Sequence, residues 1–159
     1  MTIHFDYNKQ QVIQALRYHF ISRKEIRLMI ILVNVFAIFS FVLYLLKYIL
    51  PFAFIIGAVL WMVLMISFWF LMPALVYKRA ATFKEAFSMS FGDDEFTLAH
   101  EKGSRSWSWG ALNSWLESPN FFHLYFDSRS FFLVPKSGCK NPDEVNELRQ
   151  LINARVKKG

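Results

Sequence analysis

The sequence predicts an α+β membrane protein. A hairpin of two transmembrane helices joins an antiparallel β-meander, or partly open barrel, that a C-terminal α-helix caps. Three observations support this fold class. Residues 28–77 are almost wholly apolar, later residues alternate large apolar with small polar side chains, and an amphipathic helix pattern closes the chain. We therefore divide the chain into an N-terminal flank (1–27), a membrane block (28–77) and a cytoplasmic domain (78–159).

The membrane block must fold back on itself. A continuous helix over residues 28–77 would be about 75 Å long, more than twice a hydrocarbon core of roughly 30 Å. Its single charged side chain, Lys47, lies close to Pro51, and proline is poorly tolerated inside a helix. We predict spans over residues 28–46 and 51–77.

Polar groups inside the spans are few. Asn34 can make one helix–helix hydrogen bond, and Pro73 is expected to kink the end of the second span. Gly57 could allow close helix approach. Because the spans hold no acidic residue or histidine, an anchoring hairpin is favoured over a channel or transporter.

The charge distribution indicates orientation. The formal net charge is +6. Residues 78–159 are nearly balanced in sign, which excludes the strongly basic domain expected of a nucleic-acid binder. Basic residues border the apolar block on both sides, and this pattern predicts that both termini are cytoplasmic.

Period-two alternation predicts several short strands separated by turns. The six predicted strands cover residues 86–91, 96–100, 105–109, 112–117, 121–126 and 131–135. Ile3, Phe5 and Tyr7 alternate as well, so a seventh strand is expected near the N-terminus. The residues that follow it predict an amphipathic helix leading into the first span, packed on the β-domain or along the lipid surface.

A helix over residues 142–157 is predicted to close the β-domain. Asn141 is a suitable N-cap and Pro142 a suitable first helical residue. The apolar residues Val145, Leu148 and Val156 recur at helical spacing, together with Leu151 and Ile152. This stripe can pack against one open end of the sheet.

The chain resembles the YcxB-like family of small bacterial membrane proteins. The resemblance rests on "FDY" near the start, "YKR" after the spans, "FSMSFGDDEFTL", "WSWGALNSWLES" and "FFHLYFDSRSFFLVPKS". It implies a two-span anchor in the bacterial inner membrane with a cytoplasmic pleckstrin-homology-like domain. The family brings no established activity and no catalytic residues.

Two groups of side chains are candidate contact residues. The tryptophans Trp107, Trp109 and Trp115 could form a ligand or membrane platform, but their alternation favours the core. Basic residues in or beside turns could meet anionic lipid headgroups at the rim of the sheet, although nearby acidic residues favour an ordinary solvated surface. These basic residues are Lys102, Arg105, Arg129, Lys136 and Lys140.

Nothing in the sequence predicts catalysis. The histidines His4, His19, His100 and His123 lack metal-ligand spacing, and Cys139 is the single cysteine. No serine lies in a nucleophile elbow. We expect no cofactor, no metal, no enzymatic activity and no small-molecule substrate.

A binding or scaffold role is therefore favoured. The expected partners are the lipid bilayer and either another membrane protein or a second copy of the chain, recruited through an edge strand or an aromatic patch. The alternatives are recognition of anionic lipid by the basic turns and a small immunity or regulatory protein that acts on a toxin or enzyme.

Overall fold

The computed structural model describes residues 1–159. The chain forms two compact units, one made of Met1–Ala15 with Ala80–Gly159 and the other of Leu16–Arg79. The first is called the sheet unit here, and the second the helical unit. The boundary at Ala15 falls inside the first helix, α1 (Lys9–Ser22).

The helical unit contains two helices that are long and apolar enough to cross a membrane. The most apolar 18-residue window of helix α2 (Lys24–Leu45) has a mean hydropathy of 2.7, and that of the continuous helical stretch Pro51–Arg79 has one of 2.5. This stretch consists of α3 (Pro51–Ile66), a π-helical segment (Ser67–Leu71) and α4 (Met72–Arg79). The predicted pair of long apolar helices is confirmed.

The turn between α2 and α3 is a Schellman motif centred on Lys47. Its backbone φ of 61° lies in the left-handed region. The N–H of Tyr48 donates to the carbonyl of Leu43, and the N–H of Lys47 donates to that of Tyr44. These two bonds satisfy carbonyls that the helix end would otherwise leave unpaired. The predicted turn position at Lys47 is confirmed.

Pro73 does not end the second long helix. The helix widens to a π-helical segment over Ser67–Leu71 and then continues through α4. A proline removes one backbone donor and clashes with the preceding turn, and a local π-bulge is one way in which a helix accommodates such a residue. A widened turn thus lies just before Pro73, the residue at which a kink is predicted.

The helices α2 and α3 share one side-chain hydrogen bond. The Nε1 of Trp61 donates to Oδ1 of Asn34 over 3.3 Å, which confirms the predicted role of Asn34. Near the turn, the ring of Tyr44 stacks on that of Phe54 with centroids 4.8 Å apart. Gly57 does not mediate close approach, because a Cβ at this position would meet no atom within 4 Å.

The sheet unit contains seven antiparallel strands in two sheets. The first sheet has the order β1 (Thr2–Phe5), β2 (Phe87–Phe91), β3 (Glu95–His100) and β4 (Gly103–Ser108). The second has the order β5 (Ser114–Glu117), β6 (Phe121–Tyr125) and β7 (Phe131–Pro135). The expected seventh strand, β1, pairs with β2.

The chain passes between the sheets through a 3-10 turn, Trp109–Ala111. In this turn the Nε1 of Trp109 donates to the carbonyl of Gly92 over 3.0 Å. The predicted strand over residues 105–109 therefore ends at Ser108, and β4 and β5 do not pair. The unit is α+β as expected, but its strands do not form one continuous meander, and the sheets do not close into a barrel.

The C-terminal helix α5 (Pro142–Arg155) begins at the predicted cap. The side chain of Asn141 accepts a hydrogen bond from the backbone N–H of Glu144 over 2.8 Å. Leu148, Ile152 and Val156 are buried in the same cluster as core residues of both sheets. The apolar stripe of this helix therefore contributes to the core of the sheet unit, as predicted.

Candidate functional site: an open sheet edge

Strand β4 is an edge of the four-stranded sheet with an exposed backbone. It is exposed along its length except at the half-buried Trp107. His100 and Gly103 flank a two-residue turn and form the first pair of the β3–β4 ladder. The pair beside such a turn is hydrogen-bonded, and bonded and non-bonded pairs alternate along an antiparallel ladder. Ser104, Ser106 and Ser108 therefore occupy non-bonded positions, and their backbone N–H and C=O groups point away from β3. No hydrogen bond within the protein satisfies them on that side.

Of the two outer edges near the chain termini, β5 is paired and β1 is approached at one position. The backbone N–H of Trp115 in β5 donates to the carbonyl of Lys157, and the N–H of Gly159 donates back to the carbonyl of Trp115. The C-terminal tail thus lies beside β5 as a short parallel bridge. On β1, a Cβ added to Gly138 would meet the carbonyl oxygen of His4 at 3.2 Å. The turn containing Gly138 is therefore packed against the β1 backbone.

The edge strand β7 is protected differently. The hydroxyl of Tyr7 donates to the carbonyl of Leu133 over 2.7 Å, and β7 ends in Pro135, which has no backbone donor. Covering loops, side-chain contacts and prolines are common protections of edge strands. Strand β4 has no covering loop or proline, no side chain bonds its outward-pointing backbone groups, and Arg105 is its one charged residue. It is the open edge of the unit.

The core-facing side of β4 carries Arg105 and Trp107. The guanidinium carbon of Arg105 lies 5.2 Å from the centroid of the Trp107 ring, a cation–π distance. Trp107 packs on Phe96 at 5.7 Å and on Phe132 at 5.0 Å. These contacts hold the Trp107 ring in place. The guanidinium of Arg105, which lies over that ring, is therefore positioned at the rim of the open edge.

The three candidate tryptophans lie in or against the core. Trp109 is 5% exposed and Trp115 is 2% exposed, whereas Trp107 is half-buried. The interpretation of the tryptophans as core residues is confirmed for Trp109 and Trp115. Trp107 is partly exposed beside the open edge.

Among the candidate basic residues, Lys136 is engaged by an acidic partner. Its Nζ lies 2.7 Å from Oε1 of Glu117, and Nη2 of Arg149 lies 2.7 Å from the same oxygen. Arg149 is hydrogen-bonded to Glu117 in bidentate fashion. The hydrogen bonds from Arg149 and then from Lys136 lower the pKa of Glu117 to about 2, against the opposing effect of burial.

The other basic candidates are dispersed. Lys102, in the turn between β3 and β4, lies 3.3 Å from Glu85. Arg129 lies in the turn between β6 and β7, where Asp127 accepts hydrogen bonds from the backbone N–H groups of Arg129 and Ser130. These bonds lower the pKa of Asp127. The structure thus places the candidates on different sheets, and only Arg105 lies on the open edge.

The histidines do not gather into a metal centre, and no group of three potential ligands occurs in the structure. His123 is fully buried, with Nε2 2.9 Å from the hydroxyl oxygen of Ser118. That hydroxyl donates to the carbonyl of Phe121. The pair therefore ties the β5–β6 turn to β6 and does not present an activated nucleophile.

His100 belongs to the turn before β4. Its ring stacks on Phe87 with centroids 5.6 Å apart, and Nδ1 lies 2.7 Å from the carbonyl oxygen of Gly103. Nε2 lies 3.9 Å from a carboxylate oxygen of Glu85. These contacts fix the start of the open edge.

Several of these contacts have no local signal in the sequence. The Glu117–Arg149 pair joins residues 32 apart, and the Tyr7–Leu133 bond joins residues 126 apart. The alternation of Ile3, Phe5 and Tyr7 points to Tyr7, but its position beyond the end of β1 and its hydroxyl bond depend on the packed structure. Opposite charges on β5 and α5 were the one available signal for the ion pair.

The fold defines a class of protein in which a small α+β unit of two antiparallel sheets shares a chain with two long apolar helices. Within that class, residues 91–152 match the family described as YcxB-like protein, which confirms the predicted resemblance over this segment. The match begins at the end of β2 and stops within α5, so it includes the open edge. No curated protein and no solved structure matches the chain.

Proposed function

We propose that this protein is a membrane-anchored binding or scaffold protein that presents its sheet unit at the inner surface of a bacterial membrane. The observation that carries the proposal is the open edge of β4, where Ser104, Ser106 and Ser108 direct backbone donors and acceptors outward. An exposed edge of this kind binds an added strand through main-chain hydrogen bonds. We propose no enzymatic activity for it.

Anchoring in the membrane is supported by the surfaces of the long helices. Neither α2 nor α3 buries a single residue, although both are rich in leucine, isoleucine and phenylalanine. A water-soluble protein rarely exposes an apolar surface of this extent, and a helix in the core of a soluble protein would bury it. We propose that these helices cross the bilayer.

Both termini are proposed to be cytoplasmic. Arg23, Lys24 and Arg27 lie at the start of α2, and Lys78 with Arg79 end α4, whereas Lys47 is the one charge in the intervening turn. This asymmetry follows the positive-inside rule. A reporter fused to Gly159 should show cytoplasmic activity, and a periplasmic signal would overturn the orientation.

The sheet unit is proposed to be pleckstrin-homology-like. A four-stranded and a three-stranded antiparallel sheet followed by a C-terminal helix support this assignment. In this proposal the unit provides a rigid frame, and the function lies in what its open edge binds.

The binding role is tested by photo-crosslinking in native membranes. A benzophenone amino acid replaces Ser106 on the open edge in the full chain. The matched control carries it at Ser88, which lies on the same face but in the paired strand β2. We expect protein adducts mainly from position 106. Equal labelling from both positions, or adducts with lipid alone, would contradict the proposal.

Recognition of anionic lipid is the weaker candidate. Arg105 is exposed beside the open edge, but Lys136 and Lys102 are engaged by Glu117 and Glu85. Each basic residue near an anionic surface contributes about 1 kcal/mol, so Arg105 alone would provide weak attraction. Salt-sensitive binding to anionic vesicles that disappears in Arg105→Glu would support this role.

A further inference from the structure

We propose that the partner of the open edge is a second copy of this chain, paired through antiparallel β4 strands about a two-fold axis at Ser106. This inference rests on the proposed binding function and specifies its partner. It would join two four-stranded sheets into one continuous sheet across the dimer. The argument depends on the sequence of β4, Gly103–Ser108, read against its own copy.

The backbone groups of β4 are self-complementary in this register. With Ser106 opposite Ser106 of the second copy, Ser104 lies opposite Ser108. These are the three residues whose N–H and C=O groups point away from β3. Each forms a bonded pair across the axis, so every outward-pointing group of the strand obtains a partner.

The side chains favour the same register. Arg105 lies opposite Trp107 of the second copy, in a non-bonded pair where side chains are closest. Arg105 already contacts the ring of its own Trp107 at 5.2 Å, so its guanidinium can lie between two tryptophan faces. Such contacts are attractive for arginine over an indole ring.

Neighbouring registers are less favourable. A two-fold axis at Arg105 instead of Ser106 would place the two Arg105 side chains directly opposite each other, which is destabilising. Centring it on Trp107 leaves the outward groups of Ser104 beyond the paired region. On the solvent face, the hydroxyl groups of Ser106 and Thr97 lie 2.7 Å apart. That face is polar and small, and it does not obstruct a second sheet.

The test uses single cysteines in the full chain, expressed in membranes, with Cys139→Ser as the background. Ser106→Cys should form a disulfide-linked dimer on mild oxidation by copper phenanthroline and dissolved oxygen. Ser104→Cys is the matched control, because in this register position 104 of one chain lies far from position 104 of the second copy. We expect at least about tenfold less self-linked dimer from it, since disulfides need Cα atoms within about 7 Å.

A second comparison fixes the register. Two differently tagged chains, one with Ser104→Cys and the other with Ser108→Cys, should cross-link to each other as readily as Ser106→Cys does to itself. Self-linking of Ser104→Cys at the level of Ser106→Cys would overturn the proposed register. Absence of any linked dimer would overturn the second copy as partner.

A variant without cysteine gives independent evidence. Ser106→Pro removes a donor that β3 does not use, whereas Ser106→Ala keeps it. We expect co-purification of two tagged copies to fall about tenfold in the proline variant and to persist in the alanine variant. Equal co-purification by both variants would contradict strand pairing.

The two proposals fail in different ways. If Ser106→Cys gives no dimer but the benzophenone at position 106 labels another protein, the second copy is wrong and the binding role remains. If the benzophenone labels no protein at all, both proposals are wrong.

Discussion

The Nε of Arg17 donates a 2.8 Å hydrogen bond to the carbonyl oxygen of Trp69. In an α-helix this oxygen would accept from the N–H of the residue four positions later. That residue is Pro73, which has no N–H. The guanidinium also lies 5.5 Å from the centroid of the Trp69 ring. Arg17 therefore gives this carbonyl a side-chain donor where Pro73 offers none, and it connects the part of α1 within the helical unit to the widened turn.

Arg17→Met should destabilise the helical unit because it leaves the Trp69 carbonyl without its donor. We expect a loss of about 1–3 kcal/mol, the usual range for an abandoned acceptor. Pro73→Ala restores a backbone N–H, so the same arginine substitution should cost less in that background. Thermal unfolding in detergent of the four variants measures this coupling, and Lys78→Met serves as the charge-loss control. Equal costs in both backgrounds would show that Arg17 acts elsewhere.

Lys47→Gly should stabilise the hairpin of α2 and α3. Lys47 adopts a φ of 61°, where a residue with a Cβ carries a penalty of roughly 1 kcal/mol that glycine avoids. Lys47→Asn should be close to neutral, because asparagine tolerates this region, and Lys47→Val should be destabilising. Melting temperatures in detergent should therefore rank glycine first and valine last. A different order would contradict the Schellman geometry of the turn.

Glu117→Gln should destabilise the sheet unit by about 1–3 kcal/mol at neutral pH, since Lys136 and Arg149 lose a charged acceptor. Folding lowers the pKa of Glu117 to about 2, so its contribution is fully present above the unfolded value of about 4.3. It is lost as the pH falls from there through about 2.

The stability difference between wild type and Glu117→Gln should thus be constant near neutral pH and shrink below about pH 4. Denaturant unfolding at several pH values measures it. Glu147→Gln, an exposed change on α5, is the matched control and should show little difference. A stability difference between wild type and Glu117→Gln that persists at the lowest pH would contradict the ion-pair assignment.

Asn141→Ala should destabilise α5 by about 1 kcal/mol, because the side chain that accepts from the N–H of Glu144 is lost. Asn153→Ala, at an exposed position within the same helix, should be neutral or slightly stabilising because alanine favours helices. Chemical unfolding followed by circular dichroism distinguishes the two. Equal effects would mean that the cap does not stabilise the helix.

Local patterns in the sequence determined much of this protein. The alternation of Phe87, Met89 and Phe91 identified β2 because strand side chains point to opposite faces in turn. Asn141 identified the start of α5 because helix ends need local acceptors. Lys47, as the one charge in a long apolar block, identified the turn between the two long helices.

The tertiary structure decided which elements meet. The donor of Arg17 reaches an acceptor 52 residues away, and Arg149 reaches Glu117 over 32 residues. At the break into two sheets, the indole of Trp109 bonds to the carbonyl of Gly92, 17 residues away. The C-terminal tail packs beside β5 and Tyr7 bonds to β7, so neither of them covers β4. Periodicity describes which face of an element is buried, but it does not identify the neighbour that covers it, because that choice depends on non-local packing.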